Sequence, residues 1–288
     1  MITLENDYIK VSLAAKGAEL QRLFSKETKL EYLWNGDDQY WGKHSPVLFP
    51  IVGALKNDSY TYKDKTYHLP RHGFARDQVF KTETISDTEA VFTLTETEES
   101  LKVYPFHFEL KLKYQLKDRK LILTYEVINT GKDELLFSLG AHPAFAVPNT
   151  PSTDYTDYYL AFNADDNLTY WKLDNGLIAK DTGNIKLDGH KLNLKHDLFY
   201  NDALVFKTMQ SNCISLLNIK NDYGLHFHFD DFPFFGIWAA TDAPFVCLEP
   251  WCGVADEVDH NLELAHKEGI VQLPAGQNWE RFWEVECF

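Results

Sequence analysis

Long apolar runs are missing from this 288-residue chain, and so is any cluster of lysine or arginine. A membrane-crossing helix needs roughly 20 consecutive apolar residues, so no membrane span is expected. Nucleic-acid binding rests on a basic stripe that displaces counterions from phosphates. A net charge of −15 with no such stripe excludes that class of partner. Cysteine is scarce as well: Cys213, Cys247, Cys252 and Cys287 all fall in the C-terminal third. The step from Cys247 to Cys252 fits neither zinc-site nor thioredoxin-like spacing, and so few thiols read as buried residues in a reducing compartment. The start, Met1-Ile2-Thr3-Leu4-Glu5-Asn6-Asp7, lacks the basic and apolar regions of a signal peptide, so a cytoplasmic protein is expected.

Helical periodicity and fixed-period repeats are hard to find. Only residues 262–268, ending at Gly269, allow a short helix, and a loop fits them equally well. What the chain does have is aromatic side chains, at 15%, within an apolar share of 44%. Aromatic and β-branched residues suit a pleated, half-buried surface. Period-two alternation is cleanest over residues 106–129: Phe106, Phe108, Leu110, Leu112, Tyr114 and Leu116 share one face, with His107, Glu109, Lys111, Lys113 and Gln115 on the other. After the polar turn Lys117-Asp118-Arg119-Lys120, Leu121, Leu123, Tyr125 and Val127 repeat the pattern. Two such runs with a short link predict an antiparallel hairpin. Weaker alternation marks residues 8–12, 79–84, 90–95, 158–162 and 225–229. In the last segment both Trp279, Arg281, Trp283, Val285, Cys287 and the intervening set carry large groups, predicting a strand at least partly covered on both faces. Residues 148–201 read as loop-heavy connections. These signs predict an all-β fold, a large antiparallel twisted β-sandwich with few short helices, forming a single domain over residues 1–288.

Three segments depart from alternation and carry reactive side chains. In Leu69-Pro70-Arg71-His72-Gly73-Phe74-Ala75-Arg76-Asp77, Pro70 and Gly73 bracket a turn that would present His72. A loop histidine beside two surface arginines is the plainer account. In Ser138-Leu139-Gly140-Ala141-His142-Pro143-Ala144-Phe145, small residues leave room around His142 at a strand end. Taken alone, a hydrogen-bonded core histidine explains it better. In Phe245-Val246-Cys247-Leu248-Glu249-Pro250-Trp251-Cys252-Gly253, a carboxylate ends an apolar run. Desolvation there raises its pKa toward that of a useful base, and Trp251 is placed to stack on a sugar ring. A salt-bridged strand-end glutamate is the competing account.

Taken together, these segments resemble the aldose 1-epimerase (mutarotase) family, in its LacX-like branch. The resemblance runs over nearly the whole chain through Pro46-Val47-Leu48-Phe49-Pro50-Ile51-Val52-Gly53, Arg71-His72-Gly73-Phe74-Ala75-Arg76-Asp77, Gly140-Ala141-His142-Pro143-Ala144-Phe145 and Leu248-Glu249-Pro250-Trp251, with support from Phe232-Pro233-Phe234-Phe235-Gly236-Ile237-Trp238. It implies a large twisted β-sandwich and a cofactor-independent interconversion of the α and β anomers of an aldose. It implies Glu249 as the base that takes the C1 hydroxyl proton and His142 as the acid that protonates the ring oxygen. His72 would hydrogen-bond the sugar near that oxygen. Members often carry an arginine after the first Phe-Pro, where Ala54 stands here. Lys56, Arg71 or Arg76 are the candidates to replace it, although lysine and arginine are not equivalent at bidentate sites. Asp202 is the candidate for an aspartate that contacts sugar hydroxyls, and Trp238 offers a second stacking surface.

The expected partner is therefore a small sugar, a free hexose or a hexose phosphate, bound by a monomer or homodimer. A non-catalytic sugar-binding sandwich is the main rival, though it needs no buried glutamate or pair of histidines. A glycosidase would need two carboxylates about 5–9.5 Å apart, and only Glu249 has a convincing setting. His226 and His228 share a strand face, but a metal site needs three or four protein ligands, so no metal is expected.

Overall fold

Side-chain alternation builds the scaffold. The structure, a computed structural model, describes residues 1–288. Phe108–Lys117 pairs antiparallel with Lys120–Asn129, and Asp118 makes the reversal at a φ of 52°. Leu110, Leu112, Tyr114, Leu121, Leu123 and Tyr125 are buried on one side of this hairpin. It sits in a nine-stranded antiparallel sheet ordered Lys191–Asn193, Tyr158–Phe162, Cys213–Asn218, Leu225–His228, Asn278–Cys287, Lys120–Asn129, Phe108–Lys117, Glu89–Thr95 and Lys81–Ser86. A second sheet has eight strands: Leu177–Lys186, Asn167–Asp174, Leu204–Phe206, Phe234–Trp238, Phe245–Cys252, Leu139–Ala141 and Val47–Leu48, with Ala144–Ala146 pairing beside Phe245–Cys252. Both sheets feed one cluster of 71 buried residues. Trp283, fully buried in it, donates its indole N–H to the Tyr125 hydroxyl at 3.0 Å, which leaves that polar group satisfied.

Asn278–Cys287 buries Trp283, Val285 and Cys287 on one face, and its other face is only partly covered, with Glu284 and Glu286 half-buried and Phe282 41% exposed. Its alternate face carries Glu280, Glu284 and Glu286 toward solvent beside the lysines of the hairpin. Residues 148–201 are less loop-heavy than expected: besides Tyr158–Phe162, which its alternation marks, Asn167–Asp174, Leu177–Lys186 and Lys191–Asn193 are strands. Their polar residues face water and mask the alternation. Residues 262–268, open between a short helix and a loop in the sequence, form a loop with the 3₁₀ turn Leu264–His266.

Glu249 lies inside a strand instead of at its end. Phe245–Cys252 is buried along its whole length. Phe234–Trp238 covers one edge, with Gly236 opposite Glu249 and Trp238 opposite Cys247. Two short strands share the other edge, with Gly140 opposite Trp251 and Ala144 opposite Cys247. Between them the neighbouring chain leaves the ladder at His142 and Pro143. The Leu248 N–H reaches the Pro143 carbonyl at 3.2 Å. Backbone N–H groups alternate sides along a strand, so Pro250 turns its missing donor toward the same gap. That is how a central strand tolerates a proline.

By the same alternation Cys247, Glu249 and Trp251 share one face. The indole of Trp251 needs width there, and glycines supply it on both neighbouring strands. A Cβ on Gly140 would lie 2.6 Å from Trp251 Cδ1, and one on Gly236 would meet Cη2 and Cζ2 of the same ring. We predict that Gly236→Ala displaces the indole and costs about 1–3 kcal/mol of stability through overpacking. Urea unfolding with tryptophan emission as the probe checks this; an unchanged midpoint and spectrum would show that the ring has room to spare.

Candidate active site

The break in the ladder opens onto a cavity of about 810 Å³, within the size range of small-molecule sites. His72, His142, Glu249, Arg71, Arg76, Asp202, Trp238 and Trp251 all line it. The three reactive groups come from separate parts of the chain: a turn, the gap between two short strands, and the buried central strand. Lys56 does not join them. Its ammonium donates to the His260 carbonyl at 2.9 Å, so the expectation that it contacts the sugar is corrected. Ala54, standing where the arginine was sought, is 8% exposed and accepts the Asp256 N–H through its carbonyl at 2.9 Å.

Glu249 is 1% exposed and His142 7%, and His142 Nε2 lies 3.2 Å from Glu249 Oε2. Burial pushes the Glu249 carboxyl well above its ordinary range, and the charge of Asp202 pushes it the same way. The Trp251 indole N–H opposes that shift, although it makes no hydrogen bond of ordinary geometry. Burial drives the His142 imidazole down to about 3, with its own backbone opposing and Arg76 adding to the effect. At neutral pH both shifts favour an uncharged pair sharing one proton.

His72 reaches the same space from its turn. The Gly73 N–H closes the turn on the Pro70 carbonyl at 2.9 Å, and His72 takes a φ of 68°. This left-handed backbone is uncommon for a residue other than glycine and concentrates at functional sites. Its Nδ1 accepts the Gly53 N–H at 3.1 Å, which leaves the ring proton on Nε2. The two imidazoles stand edge to face with centroids 5.8 Å apart. Burial, then His142, then Arg76 and Arg71 hold His72 well below its usual pKa.

Trp41 is the residue that sequence reading missed. Its indole stacks on His142 at 4.8 Å and 28°, while Trp238 meets the same imidazole edge-on at 5.6 Å. Trp41 lies in an irregular stretch rich in Asn, Gly and Asp, where no alternation marks it. The one available signal was the aromatic pair Tyr40-Trp41 in a polar stretch. Trp251, at 6% exposure, forms the floor, and the half-buried Trp41 and Trp238 form a wall.

Arg71 makes no ion pair. Arg76 donates from Nη2 to the Arg71 carbonyl at 2.9 Å, and its Nε is buried without a hydrogen-bond partner, 3.8 Å from Asp77 Oδ2. Asp202, at a φ of 81°, accepts from the Ala203 N–H at 2.8 Å. His142, Cys247 and Glu249 bring ligand atoms within 4.8 Å of one another. Burial raises the pKa of both Cys247 and Glu249, and a divalent ion would have to displace those two protons. His226 and His228 lie away from the cavity, on Ser215 Oγ at 2.7 Å and Cys213 Sγ at 3.7 Å respectively.

Comparison with known proteins gives the family and the fold. A sequence model of the aldose 1-epimerase family matches residues 1–284. The plasmid-encoded protein LacX of Lactococcus lactis subsp. lactis is 32% identical over 282 residues, 94% of each chain. The structure of a galactose mutarotase related enzyme from Lactobacillus acidophilus superposes with a TM-score of 0.95 at 35% identity, covering 100% of this chain and 97% of its own. A galactose mutarotase-like protein from Lactobacillus casei ATCC 334 superposes with a TM-score of 0.92 at 33% identity, over the full length of both. No helix is long and apolar enough to cross a membrane. A buried carboxyl and two neutral imidazoles thus stand around one cavity in a mutarotase-like β-sandwich, and the chain belongs to the aldose 1-epimerase family.

Proposed function

We propose that the protein is an aldose 1-epimerase, and that Glu249 and His142 carry its two proton transfers. The observation that carries this reading is their 3.2 Å contact at the inner end of the cavity. Anomer interconversion needs one proton removed from the C1 hydroxyl and one delivered to the ring oxygen, with no bond to a second molecule changed. A pair that holds a single proton suits this. Glu249 as carboxylate takes the hydroxyl proton while His142 as imidazolium gives its own to the ring oxygen. The C1–O5 bond breaks, the aldehyde forms, the C1–C2 bond rotates, and the reverse transfers close the ring on the other face. His72 donates from Nε2 to a sugar oxygen beside His142. Trp41, Trp238 and Trp251 supply apolar surface for the pyranose face, and Asp202 offers an acceptor for its hydroxyls.

Arg71 without an acidic partner and the unpartnered Nε of Arg76 favour a second reading of the substrate. In a protein of net charge −15, two guanidinium groups on one cavity suit a sugar bearing an anionic group, such as a hexose phosphate. Comparing α-glucose, α-galactose and α-glucose 6-phosphate decides between them.

The basic test is polarimetry of a freshly dissolved α-anomer. The wild type should bring the rotation to equilibrium well above the buffer rate, and binding without acceleration would leave a sugar-binding module. Glu249→Gln should lower kcat by about 10²–10⁴-fold, the usual contribution of a positioned proton-transfer group, with sugar affinity retained. Its melting temperature should equal or exceed the wild-type value at neutral pH. A folded-state pKa raised above the unfolded one destabilises the fold as pH rises through that window, and glutamine removes this cost. Near-normal turnover in that variant removes Glu249 from the mechanism.

The pH profile gives a separate test. Both histidines have lowered pKa values, so neither gains a proton as pH falls from neutral toward about 5. The raised carboxyl keeps the pair's single proton as pH rises past the ordinary carboxylate range. We therefore expect kcat/KM to stay flat through about 6.5, the pKa of an unperturbed histidine, and to fall only on the alkaline side. A step at that ordinary histidine value would contradict the desolvated pair.

A further inference from the structure

Behind the cavity wall lies a buried ion pair that the proton transfers do not use. Asp256 and Lys267 are 1% and 2% exposed, with Lys267 Nζ 2.9 Å from Asp256 Oδ1. Two charges withdrawn from water are weak evidence for stability, since apolar replacement of such pairs is often neutral. What the pair does is better read from its remaining bonds. Asp256 Oδ2 accepts the Lys56 N–H at 2.9 Å and lies 3.3 Å from His260 Nδ1. The Asp256 N–H donates to the Ala54 carbonyl at 2.9 Å, and its carbonyl accepts the Ile178 N–H at 2.8 Å. One residue thus grips the chain on both sides of Leu55.

Gly53 is the next residue upstream. Its N–H donates to His72 Nδ1 at 3.1 Å, and its carbonyl accepts the His72 N–H at 2.9 Å. With φ at 72°, Gly53 packs so closely on Ala255 that a Cβ would approach the Ala255 Cβ to 2.5 Å. Residues 53–56 are therefore clamped between Ala255 and Asp256 on one side and His72 on the other. A ring nitrogen that accepts a hydrogen bond carries no proton, so this clamp decides which His72 nitrogen can donate.

We infer that Asp256 is a positioning residue: its carboxylate, neutralised by Lys267, sets residues 53–56 so that the Gly53 amide selects the Nε2–H tautomer of His72. The inference rests on the reading of His72 as a sugar-contacting group, but the tautomer can be read without turnover. Two double variants separate positioning from mere structure. Asp256→Asn with Lys267→Met removes both charges yet keeps an amide oxygen for the Lys56 N–H. Asp256→Leu with Lys267→Met removes that acceptor as well.

Ring ¹⁵N NMR of His72, assigned by the signals lost in His72→Gln, is measured beside mutarotation. The wild type and the Asn/Met variant should show unprotonated Nδ1 and similar kcat. The Leu/Met variant should show mixed tautomers and a kcat lower by about 10²-fold, the scale of a small misplacement of a catalytic group. A purely structural ion pair would shift the melting temperature of both double variants while leaving ring signals and kcat alone, and that result overturns the proposal. Protonated Nδ1 in the wild type, or tautomer loss in the Asn/Met variant, overturns it too, even where the Leu/Met variant fails to fold. Should the wild type show no mutarotation, the functional reading falls while the ring signals still judge the clamp.

Discussion

Desolvation of one carboxyl beside one imidazole governs the rest of this structure. Water would ionise Glu249 and leave His142 titrating near neutrality; burial moves both the other way and makes a shared proton the lowest-energy arrangement. A fold must be stable for other reasons to accommodate such a pair. Here 71 buried residues form one continuous core between two large sheets, so a few kcal/mol of electrostatic cost is small beside the hydrophobic terms that oppose chain entropy. The site lies where the cost is greatest, on a strand buried from end to end.

The geometry follows from a handful of backbone exceptions. Pro143 and Pro250 both fall at the place where two short strands exchange along the edge of Phe245–Cys252. The unpaired stretch they leave is what lets His142 face Glu249. Gly236 and Gly140, opposite Glu249 and Trp251, clear space for the Trp251 indole, and Trp41 and Trp238 then fix the imidazole from its face and edge. His72 enters on a left-handed turn held by Gly53. Each of these features weakens regular sheet structure locally, and together they shape one cavity.

Much of this was legible before any coordinates. Alternation over residues 106–129 specified the hairpin because one face of that sheet is buried and the other wet. Proline and glycine around His72, His142 and Glu249 pointed to the places where the ladder is interrupted. The misses have physical reasons. Residues 167–193 form strands whose polar side chains face solvent, so their composition reads as loop. Phe282 alternates with glutamates on a face that is only partly covered, and local sequence does not say how far. Lys56 lies close in sequence to Gly53, but its side chain is drawn to the His260 carbonyl, and no local pattern encodes that contact across the chain. Trp41 reaches His142 from an irregular segment, where packing alone decides its place.

The account stands on the carboxyl and the imidazole meeting opposite ends of one reacting bond. A crystal structure of the protein soaked with an aldose tests this most directly. We expect the C1 hydroxyl within hydrogen-bond distance of the Glu249 carboxyl and the ring oxygen facing His142 Nε2. A sugar bound with its anomeric carbon toward solvent, or held with Glu249 and His142 still in contact with each other alone, would contradict it.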